Sequence, residues 1–414
     1  MREVCTRYVI LSPGTYLEGA CVAFEESVVR VEPERGVEEG TVLTHGLASA
    51  HTHLGLYPLR TSLAGLPLDV WVRRYVWPWE RLLRKEPELS YYTAILALSR
   101  LLSGGVTAVA DMHFNEDRVA KAFAELGVRG DLSVAIMSRG VYDSFEEGLQ
   151  ENLALVRRFK GSELLRVRLG ATTPRLLTLD EYREVVDIAR RLGVGVHTHV
   201  AEVPEDVRHL RDAYGMGLAE FIDYVGLAEV DSLVAHGVWL DRDAIARLRG
   251  SKATVVHCPL SNTLLRDGVA PLRELLASGV RVALGLDVSP SYSMLDEVKA
   301  SLSMHLGRGD VEVGELFGSA TVSGYEALGF GRGVIAPGEP ADLVLWEVSE
   351  PVQNPHLALL AARGVREVYV AGRRVVEDGA VTGVSGDVLR EARREVFSQL
   401  RPSLARTLTS SWGG

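Results

Sequence analysis

From residue 47 to residue 334 the spacing of apolar positions switches repeatedly between two periods. Short, β-branched apolar runs occupy 47–51, 106–111, 132–137, 166–172, 194–200, 232–237, 254–259 and 281–287. Runs of this length and composition predict buried strands. Between them lie segments with helical spacing, such as Asp180–Leu192 and Ala270–Ser278, each followed by a glycine. Strand and helix alternating eight times predict an α/β fold, a (β/α)8 TIM-like barrel over 47–334. A doubly wound sheet would alternate similarly, but no Gly-x-Gly-x-x-Gly opens a helix and no Gly-Lys-Ser/Thr loop is present.

The two ends read differently. Residues 1–46 and 335–385 are strand-and-turn sequence, including Val334–Trp346 and Val368–Val376. Neither piece is long enough to close a core, so together they predict a small composite β-sandwich domain flanking the barrel. Residues 386–414 read as a C-terminal helix and tail, with the amphipathic part, 386–407, packing on the barrel.

Composition narrows the class. The chain of 414 residues is 47% apolar and 24% charged, ordinary for a protein with a large core. A net charge of -10 argues against binding a nucleic-acid backbone. No run of eighteen apolar residues predicts a membrane span. The first ten residues lack the basic start and apolar run of a signal peptide, so a cytoplasmic location is expected. Cys5, Cys21 and Cys258 are odd in number and far apart, so no disulfide framework and no Cys-x-x-Cys metal motif is expected. Cys258, in an apolar run, is expected to be a buried, inert thiol. A homo-oligomer is the default assembly.

Barrel active sites form at the C-terminal ends of the strands. Those ends carry His51 and His53, then His197 and His199, then His236, His257 and Asp287. Six of the chain's eleven histidines thus fall on one face. A His-x-His pair on a strand puts both imidazoles on one side. Alone, packed or solvated histidines explain such a pair equally well; with further ligands it is half of a metal site. His51, His53, His199 and Asp287 are predicted to hold one divalent ion, leaving a position open for water. Zinc is the expected metal, and iron(II) suits the same ligands. His199 is preferred to His197 because Glu202 follows it by three residues, a spacing that lets a carboxylic acid curl back over the site. His197, one layer deeper, is expected to be a hydrogen-bonded core residue.

These segments resemble the metal-dependent amidohydrolase superfamily. The likeness rests on His51-x-His53, Leu66–Trp71 with Trp77-Pro78, Gly105–Met112, His199-x-x-Glu202, Ala235–Gly237, Val256–Asn262, Leu284–Asp287 and Pro337–Leu345. Within the superfamily they are similar to the aminohydrolase branch of adenosine-type, guanine and cytosine deaminases and triazine hydrolases. The S-adenosylhomocysteine/5'-methylthioadenosine deaminases are the nearest match. The resemblance implies hydrolytic removal of an exocyclic amine from a purine nucleoside or related heterocycle, with release of ammonia. It implies that Asp287 takes the proton of a metal-bound water, that His236 orients the hydroxide, and that Glu202 protonates the ring nitrogen. Glu202 also reads as a helix N-terminal carboxylate ahead of Pro204. Superfamily members with two metals bridge them by a carboxylated lysine on strand 4. Arg166–Pro174 contains none, and the chain's five lysines lie elsewhere, so a single ion is implied. Alternatives are displacement of another leaving group, as in triazine chlorohydrolases, opening of a cyclic amide, or a barrel that binds a ligand without turnover. Deaminases built on Cys-x-x-Cys zinc ligands do not fit, because that motif is absent.

A small heterocyclic substrate is the expected partner. Trp71, Trp77 and Trp79 could wall a pocket for a flat ring, or form a core cluster. Arg139 matches an arginine that relatives turn toward a ribose or carboxylate, and reads equally as a surface residue. Where relatives carry Gly-Pro-His on strand 4, this chain has Ala171-Thr172-Thr173; Thr173 can share a hydrogen bond but cannot become a cation. Trp77, Arg139, Thr173 and Glu202 are therefore the substrate-binding candidates. His113 is expected in the pocket or on a loop, and His257, Ser261 and Asn262 in a supporting role.

Overall fold

A computed structural model describes residues 1–34, 37–63, 65–142, 144–305, 311–349 and 352–408, with only the backbone described for Glu38 and for 401–408. One sheet holds β5 (Leu47–Ser49), β6 (Val106–His113), β7 (Arg129–Ile136), β8 (Leu165–Val167), β9 (Leu169–Ala171), β10 (Val196–Val200), β11 (Ser232–His236), β12 (Thr254–His257) and β13 (Arg281–Leu284). Its neighbours run parallel in the order β5-β6-β7-β9-β10-β11-β12-β13, with β8 on β7. Backbone bonds from Ala50 N to Leu284 O (3.0 Å) and from Asp287 N to His51 O (2.9 Å) join the last strand to the first. This is the barrel that the alternating pattern predicts.

Strand 4 departs from its expected continuity. The run 166–172 is split into β8 and β9, because the side chain of Asn152 enters the ladder there. Asn152 Oδ1 accepts from Val134 N (3.1 Å) and Gly170 N (3.0 Å), while Nδ2 donates to Arg168 O (2.8 Å). A Cβ at position 170 would lie 2.0 Å from Val134 O, so only glycine lets the two strands approach.

The second sheet is built from both chain ends. It contains β1 (Arg2–Ser12), β2 (Thr15–Phe24), β3 (Val28–Pro33), β4 (Glu38–His45), β14 (Leu343–Glu347), β15 (Gly364–Val370), β16 (Arg373–Glu377) and β17 (Ala380–Val381). Its order is β17-β16-β15-β14-β4-β1-β2-β3, antiparallel except for β1 beside β4. Phe24, Leu43, Ile335 and Leu343 belong to a hydrophobic cluster of its own. The sheet is tied to the barrel by Arg129 of β7, whose Nη2 donates to Asp342 Oδ1 at 3.0 Å, and by Tyr325 Oη to Asp342 Oδ2 at 2.8 Å. The helix Gly386–Leu408 packs on the helices Trp77–Lys85 and Glu88–Leu102, burying Ala392 and Val396.

The expectation of unpaired cysteines is corrected. Cys5 and Cys21 form a disulfide. They face each other across the antiparallel β1–β2 hairpin, where Cys5 is in register with Cys21; sequence separation alone does not reveal that register. Cys258 is free and buried, and burial pushes its thiol up, as expected of an inert side chain. Among the described residues no helix is long and apolar enough to cross a membrane.

Candidate active site

The C-terminal ends of the barrel strands bring the predicted side chains together. His51 and His53 leave β5 and Asp287 leaves β13, and the two segments are stitched by a parallel bridge between Thr52 and Asp287. Gly285 lies under His51: a Cβ there would stand 3.0 Å from His51 Cβ and 2.6 Å from Val256 Cγ1. His236 (φ 72°) and Asp287 (φ 53°) are left-handed without being glycine. Such backbone costs about 1–3 kcal/mol per residue and persists where the surroundings hold it for a function.

Hydrogen bonds fix which nitrogen of each imidazole faces inward. His53 Nδ1 donates to Met112 O (2.6 Å) and His199 Nδ1 to Thr172 O (2.8 Å), so each Nε2 carries a lone pair. His51 is set through a longer chain. Ser133 Oγ donates to Asp111 O (3.0 Å), so it must accept from His197 Nδ1 (3.1 Å). His197 Nε2 is then an acceptor, and His51 Nδ1 donates to it at 2.7 Å. His197 is thus a hydrogen-bonded core residue, as expected, and it sets the tautomer of His51. His236 Nδ1 donates to Asn262 Oδ1 at 2.8 Å.

The result is a converging set of lone pairs. His53 Nε2 and His199 Nε2 are 3.2 Å apart, and Asp287 Oδ1 is 3.4 Å from His51 Nε2 and 3.3 Å from His53 Nε2. His51 Nε2 and His236 Nε2 are buried without a hydrogen-bond partner. Ligand atoms of His51, His53 and His199 all lie within 4.8 Å of one another, as do those of His51, His236 and Asp287. Burial pushes the three imidazoles below their ordinary range, His51 to about 3, so they stay neutral. Neutral nitrogen lone pairs aimed at one another and at a carboxylate repel. A divalent cation among them reverses the sign of every contact, so the donor set fits one.

Glu202 sits over this set. Its Oε1 is 3.5 Å from His236 Nε2. Burial pushes its carboxyl well above the usual range, and the nearby charges of Asp287 and Asp206 add to the shift. The group is thereby kept as an acid. The supporting role expected of Ser261 and Asn262 is specific: Ser261 Oγ donates to Asp287 Oδ2, and Asn262 holds His236. His257 is buried with neither nitrogen partnered, its ring 5.7 Å from that of His305.

A cavity of about 310 Å³ opens onto the site, where it is lined by His53, His199, Glu202, His236 and Asp287. Its wall is largely apolar, including Leu56, Trp71, Val76, Trp77, Met112 and Met137. Of the two readings the sequence left open for Trp71, Trp77 and His113, the structure has the one at the cavity, and together with Thr173 they line it. Trp79 does not; it is fully buried, and its indole N–H donates to Gly55 O at 2.8 Å. Arg139 is also corrected, being exposed on the loop after β7 and outside the lining. The cation of the lining that follows strand 4 is instead Arg175. Glu80 was missed as well. It lies in an amphipathic helix where a surface carboxylate is ordinary, yet it faces the cavity 3.8 Å from His113 Nε2, and burial pushes it up to about 8.

Comparison with known proteins adds to this geometry. A model of the amidohydrolase family matches residues 42–375. The chain is 31% identical over 413 residues to 5-methylthioadenosine/S-adenosylhomocysteine deaminase of Pelotomaculum thermopropionicum, covering 93% of this chain and 94% of that protein. It is 33% identical over 388 residues to 5'-deoxyadenosine deaminase of Methanopyrus kandleri, covering 90% of each. Among solved structures, an adenosine deaminase from Xanthomonas campestris with bound zinc superposes with a TM-score of 0.89 at 25% identity, covering 97% of this chain and 98% of that one.

Proposed function

The chain belongs to the amidohydrolase family, and we propose that it is a metal-dependent hydrolytic deaminase of adenine nucleosides, exchanging the exocyclic amine for oxygen and releasing ammonia. The observation that carries this reading is the buried acid Glu202 poised beside a converging set of neutral imidazoles and Asp287, at the floor of an aromatic-walled cavity. His51, His53, His199 and Asp287 are the ligands we assign to one divalent ion. The zinc in the Xanthomonas relative supports zinc, and the absence of lysine from Arg166–Pro174 supports a single ion. When bound, such an ion supplies Lewis acidity, bringing the pKa of water from about 15.7 toward 7.

The remaining work falls to the chain's own groups. Water adds to the ring carbon that bears the amine, and the carboxylate of Asp287 takes up its proton. His236 Nε2, whose lone pair is set by Asn262, accepts a hydrogen bond from that water and holds it in line. Glu202, kept protonated by burial, delivers its proton to the adjacent ring nitrogen, so that negative charge never accumulates on the ring. The amine leaves with the proton first taken by Asp287, and the hydroxyl proton of the adduct passes to the Glu202 carboxylate, giving ammonia and a carbonyl and restoring the acid. Trp71 and Trp77 provide flat apolar surface for the base, and Thr173 a neutral hydrogen bond.

Ammonia release by the metal-loaded protein, measured against adenosine, 5'-methylthioadenosine, S-adenosylhomocysteine, guanine and cytosine, tests this reading. Turnover of the adenine nucleosides is expected. Turnover confined to guanine or cytosine, or none at all, contradicts it.

A further inference from the structure

Arg175 follows β9 and reaches two carboxylates on different elements. Its Nη1 donates to Asp69 Oδ1 at 2.8 Å, and its Nε lies 2.6 Å from Asp206 Oδ1. Asp206, almost fully buried, uses its other oxygen to accept the N–H groups of Glu202 (2.8 Å) and Val203 (3.2 Å). Capping the helix Pro204–Tyr214 requires only that oxygen. The ion pair through Oδ1 to a residue on the strand-4 loop is not demanded by the helix. At the other end of the guanidinium, Asp69 lies two residues before Trp71, on the segment that forms the aromatic wall. With two carboxylates already matched to it, the charge of Arg175 is not offered to an anionic end of a substrate.

Resting on the deaminase reading, we propose that Arg175 is a positioning residue for the reaction. Through Asp206 it fixes the backbone of the acid Glu202, and through Asp69 it holds the Trp71 wall closed over the same cavity. It thereby couples occupation of the ring pocket to placement of the proton donor.

Steady-state kinetics with an adenine nucleoside test the link. Arg175→Met and Asp206→Asn are each expected to lower kcat about 10- to 100-fold, the cost of misplacing a catalytic group by a fraction of an ångström or more. The double variant should lose no more than Arg175→Met alone, because Asp206→Asn cuts a connection that Arg175→Met has already removed. It also leaves no lone buried charge, so its fold is preserved where a single variant is destabilised. Arg175→Lys should keep more of kcat than Arg175→Met, and Asp69→Asn should raise KM more than it lowers kcat. Hydrogen exchange at the Glu202 amide, read by mass spectrometry in the same proteins, should be faster in Arg175→Met whether or not any substrate turns over. If the wild-type protein releases no ammonia, the deaminase reading falls, and this exchange result alone decides the link. Wild-type kcat in both single variants, losses that multiply in the double variant, or unchanged protection of the Glu202 amide overturns the proposal.

Discussion

At the scale of the residue, the site is an exercise in fixing protons. Five imidazoles are locked as Nδ1–H tautomers, two by backbone carbonyls, one by Asn262, His197 by Ser133, and His51 by His197 in turn. Ser133→Ala removes the acceptor that orients His197. Divalent-metal affinity should then fall about 10- to 100-fold, as for lost outer-shell partners generally; competition with a chelator measures it, and wild-type affinity contradicts the tautomer chain. Glu202 is the converse case, an acid kept protonated. Glu202→Gln should lower kcat by about 10²- to 10⁴-fold with metal content unchanged, and a kcat within a few-fold of wild type removes Glu202 as the proton donor. The sign of the pH effect follows from its raised pKa: the acid form persists above the usual carboxylate range and is lost as pH rises through the raised value. Activity should therefore fall on the alkaline side, whereas a fall already near about pH 4.3, the unperturbed value, contradicts it. The histidines were legible in the sequence because there are only eleven and six fall at strand ends, and Asp287 and Glu202 because each stands at or just after such an end. Glu80 and Arg175 were not legible, because charged residues on amphipathic helices and loops look alike until the fold turns them inward.

At the scale of the element, the positions of the eight barrel strands were legible from short β-branched runs, since parallel strands buried on both faces have little room for polar residues. What stayed hidden were side chains that act as backbone. Asn152, on a helix, supplies bonds that split strand 4 into β8 and β9, and no periodicity marks it. The disulfide between Cys5 and Cys21 was hidden for a related reason, since only hairpin register makes two distant cysteines neighbours. Close approach of elements also sets the site. Gly285 at the end of β13 leaves no room for a Cβ between Val256 and His51. Gly285→Ala should displace His51, lowering both bound metal and melting temperature. Wild-type values for both would mean that the β5–β13 junction has slack there.

At the scale of the whole molecule, the barrel and the sheet from the two chain ends are joined through buried charge. Asp342, just before β14, receives Arg129 and Tyr325 from the barrel and the backbone N–H of Ala371 from its own sheet. Arg129 is the first residue of β7, so this junction is at the N-terminal end of the barrel strands, and none of its residues lines the cavity at the opposite rim. On that rim Thr172 and Thr173 line the cavity together with His53, His199 and Asp287. The fold thereby places the domain junction and the reacting centre at opposite ends of the strands, and the central claim concerns what that centre does to the ring. The most direct measurement is turnover of adenosine by the metal-loaded protein in ¹⁸O-labelled water, followed by mass spectrometry of the nucleoside and assay of ammonia. The account predicts a deaminated base carrying one ¹⁸O atom from water and one equivalent of ammonia per turnover. Recovery of unlabelled product, or of the intact amine after prolonged incubation, contradicts it.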